Sequence, residues 1–114
     1  MALFGKKNKD TNSGSELKIT VKNEGNAYTF LPEGRLDTLT SPSLEAKLNE
    51  VIGGAEKLIF DLGGLLYISS AGLRVLLGAV QQMEGKGEMI VRNLSPEVRD
   101  VFDLTGFSRL FTIE

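Results

Sequence analysis

The chain of 114 residues contains no cysteine and no histidine. Together these absences exclude disulfides, thiolate nucleophiles, imidazole general bases and the ligands most used for zinc or copper. Neither a metal nor a cofactor is expected. Positive charge is not in surplus either: 13 Lys and Arg stand against 15 Asp and Glu, a formal charge of −2, so no broad positive field is available to attract DNA or RNA. No apolar run approaches the length of a membrane span and nothing resembles a signal peptide, which predicts a cytoplasmic protein. What remains is an ordinary soluble composition, 41% hydrophobic and 25% charged, on a length that suits one globular domain.

Residues 1–16, "MALFGKKNKDTNSGSE", have little apolar content after Phe4 and read as a flexible tail, leaving 17–114 as the folded domain. The "GKK" within them lacks the glycine, lysine and hydroxyl spacing of a P-loop. From Leu17 the pattern alternates, with Leu17, Ile19 and Val21 against Lys18, Thr20 and Lys22. "NEGN" then supplies a turn, and residues 27–31 read as the second strand of a β-hairpin. Ser41 is expected to cap a helix that starts at Pro42 and carries Leu44, Leu48 and Val51 as its stripe. "KLIFDL" reads as a central strand. A helix over residues 70–84 follows, with Leu73, Leu76, Leu77, Val80 and Met83 on one side, and then a strand "EMIVRN" parallel to "KLIFDL". Ser95-Pro96 opens a third helix, with Val98, Val101 and Phe102 inward, and residues 110–113 form a short last strand. The sum is an α/β domain with a mixed sheet, an N-terminal hairpin and amphipathic helices lying on the sheet.

Between "KLIFDL" and the following helix lies "GGLLYIS", read as a long connection at the carboxyl end of a strand, where open α/β sheets meet ligands and partners. Ser69 or Ser70 can cap the helix. Gly72, inside the first turn, implies close backbone approach, either by a neighbouring strand or by something docking from outside. The N–H groups of Ala71, Gly72 and Leu73, with the helix dipole behind them, favour an anion such as a phosphate attached to Ser70. Arg74, one turn on, is near enough to pair with that phosphate. Asp37, in "LDTLT", reads equally as a turn cap and as a partner contact. Leu66, Tyr67 and Ile68 read as packing, with the alternative that one of them anchors a partner.

Three blocks, "GRLDTLTSPSLEAKL", "KLIFDLGGLLYISSAGLRVLL" and "VRNLSPEVRDVFDLTGFSRLFTI", resemble in order and spacing a STAS domain of the anti-sigma factor antagonist type, from about Leu17 to the C-terminus. The resemblance implies a binding module rather than an enzyme. Unphosphorylated, such a module engages an anti-sigma factor that is also a serine kinase; phosphorylation releases it and a serine phosphatase restores it. By the family's pattern the acceptor is Ser70, with Ser69 ranked second. The partner surface gathers around the helix start (Ser69, Ser70, Ala71, Gly72 and Arg74) and around Asp37 in the turn of residues 34–37. The chain departs from the pattern at Ser69 and Arg35, where acidic residues are common, and at Ala71, where a hydroxyl is common. Two other readings stay open: an unmodified scaffold or transport-linked adaptor that binds a protein through the same loop, and a serine-dependent enzyme, for which no base near Ser70 is apparent.

Overall fold

The computed structural model describes residues 17–114, and the tail read over residues 1–16 lies outside them. Strands β1 (Leu17–Glu24) and β2 (Ala27–Leu36) form the expected hairpin, in register from Leu17↔Gly34 to Glu24↔Ala27. Gly25 takes the positive φ of 63° that this two-residue turn requires. β2 continues to Leu36 rather than ending at Leu31, because it serves two parallel partners in succession. Its Tyr28 and Phe30 lie beside β3 (Lys57–Asp61), and its Gly34 to Leu36 beside β4 (Leu65–Ile68). Pro32, which lacks an N–H, falls in the gap between those two ladders, where a proline is tolerated.

β4 corrects the reading of "GGLLYIS" as a connection. Asp61 Oδ1 accepts the Gly63 N–H (3.1 Å) and the Leu62 carbonyl accepts the Leu65 N–H (3.0 Å), so the glycine pair makes a tight turn that moves the chain sideways onto β2. Only Ser69 then separates β4 from the helix α2 (Ser70–Met83). β5 (Glu88–Arg92) lies parallel to β3 in full register, and β6 (Thr112–Ile113) pairs parallel with β5. Among the described residues the sheet order is β1-β2-β3-β5-β6, with β4 attached to β2.

Helices α1 (Ser41–Val51), α2 and α3 (Pro96–Thr105) send Leu44, Leu48, Leu73, Leu76, Met83, Val98 and Phe102 into one core with Phe30, Leu58, Phe60, Met89 and Val91 of the sheet. Each of these large side chains, fully buried, contributes about 1.5–3 kcal/mol relative to exposure. Ser95 caps α3 as expected, its hydroxyl accepting the Val98 N–H at 3.3 Å. At α1 the cap is Thr40 rather than Ser41, for reasons set by Asp37 and given below. Gly87, just ahead of β5, is required by close approach, since a Cβ there would lie 1.9 Å from the Glu56 carbonyl oxygen.

Candidate functional site

The turn from β2 to α1 and the step from β4 to α2 are held side by side. The Ser69 N–H donates to the Leu36 carbonyl (2.9 Å), extending the β2–β4 ladder to the first residue outside the helix. Gly72 then sits directly over that ladder. A Cβ on it would lie 2.7 Å from Leu36 Cγ and 2.9 Å from Ile68 Cγ1. Of the two explanations open for this glycine, internal packing is the one its surroundings supply: Gly72 is buried against Leu36 and Ile68 and offers no surface of its own.

The two serines have different jobs. Ser69 is the N-cap, with extended backbone and a hydroxyl that accepts the Gly72 N–H at 3.4 Å, while its carbonyl accepts the Leu73 N–H at 3.0 Å. Ser70 is the first helical residue, exposed, and its hydroxyl has no hydrogen-bond partner among the described residues. Ser69 thus takes up two of the three N–H groups expected to be open to an anion, and of those three Ala71 alone keeps its donor at the helix start. Arg74 is exposed one turn further along α2.

Asp37 lies in the adjoining turn with its side chain 17% exposed. Its Oδ1 accepts the Leu39 N–H (3.0 Å) and the Thr40 N–H (3.1 Å). Its own N–H donates to Thr40 Oγ1 (2.9 Å), and that hydroxyl donates to the Arg35 carbonyl (2.8 Å). The Asp37 carbonyl accepts from the Ser41 hydroxyl at 2.6 Å. This closed turn satisfies the buried hydroxyls of Thr40 and Ser41 and uses the Ser41 oxygen inward, which moves the helix cap back to Thr40. Partial burial pushes the Asp37 carboxyl up, but the N–H donors of Thr40 and Leu39, the Thr40 hydroxyl and the Arg35 guanidinium outweigh it and hold the group below its ordinary value. Turn capping therefore accounts for the carboxylate.

What the turn presents outward is different. Arg35 reaches Asp37 Oδ2 at 3.8 Å and lies over the Tyr67 ring, 4.4 Å from its centroid. Leu39 and Leu66 are 75% and 74% exposed, while Ile68 is buried. Leu39 was missed in the sequence; its signal was an apolar residue inside a run of turn formers with no periodic partner. A notch of about 220 Å³ separates the N-terminal halves of α1 and α2, lined by Thr38, Ser41, Pro42, Glu45, Ala71, Arg74 and Val75. The site is thus a convex rim carrying the free Ser70 hydroxyl, two arginines, exposed leucines and a small cleft. Among the described residues no cluster of acidic groups could hold a metal ion, and no helix is long and apolar enough to cross a membrane.

With that geometry in place, comparison with known proteins is specific. The family model of the STAS domain matches residues 18–114. BtrV of Bordetella bronchiseptica, whose assigned name places it among anti-sigma factor antagonists, is 35% identical over 99 residues, 85% of this chain and 85% of that one. An anti-sigma factor antagonist from Mycobacterium paratuberculosis superposes with a TM-score of 0.82 at 21% identity, over 90% of this chain and 89% of its own. SpoIIAA, a Bacillus cell fate determinant, in its phosphorylated form gives 0.68 at 23% identity, over 85% and 91%. The two structural likenesses speak to the fold.

Proposed function

We propose that this chain, which belongs to the STAS-domain family, is an anti-sigma factor antagonist that binds an anti-sigma factor with serine kinase activity and is switched off by phosphorylation of Ser70. The observation that carries the reading is the division of labour between the serines. Ser69 is committed to the cap, so Ser70 can be esterified without removing a structural hydrogen bond. A phosphate on it brings a charge of about −1.5 to −2 to a helix N-terminus, next to the Ala71 N–H and one turn from Arg74. Those groups stabilise the ester on the free domain. Against an acidic or apolar partner surface the same charge is opposed by repulsion and desolvation. A serine phosphatase would reverse the switch. Ser69, Ala71, Arg74 and the outer surface of the Asp37 turn form the contact area around it.

The test is reconstitution with an anti-sigma factor of the serine-kinase class and ATP. Ser70→Ala is expected to bind and to resist phosphorylation, and Ser70→Asp to bind at least tenfold more weakly than wild type. Phosphopeptide mapping that places the phosphate only on another residue refutes the assignment.

A further inference from the structure

We infer that the notch between α1 and α2 is the socket for one apolar side chain of the anti-sigma partner, flanked in the partner by a carboxylate that meets Arg74; the inference rests on the function proposed above. Size decides the class of occupant first. At about 220 Å³ the notch is smaller than the roughly 300–1,000 Å³ of sites that enclose small ligands. It has room for a protruding side chain, not for a metabolite.

The lining has the anatomy of an interface pocket rather than of a solvent groove. Its floor is Ser41, Ala71 and Val75, buried or half-buried, and its margin is the exposed Thr38, Pro42, Glu45 and Arg74. Ser41 presents no open polarity there, because its hydroxyl is spent on the Asp37 carbonyl. An apolar floor inside a polar, charged margin is where binding energy concentrates in protein interfaces. The walls differ in sign, with Glu45 on α1 and Arg74 on α2, and so fix the direction in which a charged partner segment can cross.

Position supplies the link to the switch. Ala71, in the wall, is the residue after Ser70, and Arg74, also in the wall, stands one turn on from it, so the notch opens beside the helix start that carries the Ser70 hydroxyl. A phosphate there acts twice on this one contact. It competes for Arg74, which lies at the i+4 spacing that lets side chains meet on a helix, and it repels the carboxylate that Arg74 would otherwise hold.

The experiment titrates the full chain, without ATP, into each purified anti-sigma factor of the histidine-kinase-like ATPase class encoded in its own genome, followed by calorimetry. Ala71→Leu and Thr38→Leu fill the notch from opposite walls, and Lys47→Ala, on exposed α1 surface outside the notch, is the control. Both filling variants are expected to bind at least tenfold more weakly than wild type, with Lys47→Ala within twofold. Thermal midpoints by circular dichroism establish that each variant is folded, and the two walls give two independent chances of a folded variant. If a partner binds wild type and both folded filling variants within twofold, the socket is refuted while the function stands. If wild type binds none of these proteins, the function itself is refuted.

Discussion

Replacing Gly72 with alanine should destabilise the domain even though alanine is the better helix former. The added Cβ would lie 2.7 Å from Leu36 Cγ and 2.9 Å from both Ile68 Cγ1 and Leu36 Cδ2. Two of those three atoms, Leu36 Cγ and Ile68 Cγ1, are bonded directly to Cβ on strands β2 and β4 and are not the free end of a side chain. Both residues are almost fully buried, so they cannot swing away. Overpacking of this kind costs about 1–3 kcal/mol. The gain in helix propensity over glycine offsets about 0.5–1 kcal/mol. The net loss therefore lies between about 0 and 2.5 kcal/mol and centres near 1 kcal/mol, or about 5 °C in thermal midpoint for a domain of this size. Gly78, in the same helix, is the matched control: nothing lies within 4 Å of its virtual Cβ. Gly78→Ala should stabilise by about 0.5–1 kcal/mol. With no tryptophan in the chain, far-UV circular dichroism is the natural probe for both. A Gly72→Ala midpoint above that of wild type, as expected for Gly78→Ala, would refute the packing argument.

Three further outcomes follow from the same geometry. Ser69→Ala, which removes the cap on Gly72, should cost about 1 kcal/mol in urea unfolding, while Ser70→Ala leaves the urea midpoint unchanged; equal effects would contradict the division of labour. Gly87→Ala drives a Cβ into a backbone carbonyl that cannot rotate away, so it should cost about 3 kcal/mol or more and lower the folded yield, seen as a lost or strongly shifted urea transition. The Asp37 carboxyl, followed by carbon-13 NMR, should titrate below its ordinary value of 3.8; because the folded form binds its proton less readily than the unfolded chain, its contribution is complete above that value and is lost as pH falls through the folded one. A folded pKa at or above 3.8 would show that its burial outweighs its donors.

Periodicity and caps made the helices and the hairpin legible, because Leu44, Leu48, Leu73, Leu76, Val98 and Phe102 recur at helical spacing and all meet one core. β4 was not legible. In "LLYI" Leu65 and Ile68 are buried while Leu66 and Tyr67 are exposed, which breaks the alternation of a strand and leaves only the i, i+3 spacing that one turn of helix would share. The cause is a bulge in β4 itself: Leu66 is an extra residue between Leu65, opposite Gly34, and Tyr67, opposite Arg35, and it breaks the alternation of facing along the strand. The start of α1 was misplaced by one residue for a similar reason. A serine before a proline carries the cap signal, but Asp37, four residues upstream, captures that serine with its carbonyl. Ser70 was reachable from the sequence, whereas its freedom from capping duty depended on which of two adjacent hydroxyls faced Gly72. The notch was not legible, since it arises where two helices distant in the chain lie side by side.

The rigidity of the helix start constrains how a phosphate on Ser70 can act. The start of α2 is fixed by the Ser69–Leu36 hydrogen bond, by the cap on Gly72 and by the close fit of Gly72 on Leu36 and Ile68. None of these involves the Ser70 hydroxyl. An anion at this position gains about 0.3–1 kcal/mol from the helix dipole, with Arg74 as a further counter-charge. On the proposed reading the modified domain should therefore melt at the same temperature as the unmodified one or a few degrees above it. Its amide NMR shifts should change only around residues 69–75 and the adjoining turn. The loss of partner binding then arises in the complex and not in the free domain. A phosphorylated protein that melts below the unmodified one, with shifts spread through the sheet, would mean that the switch works by loosening the fold, and the interface account would fail.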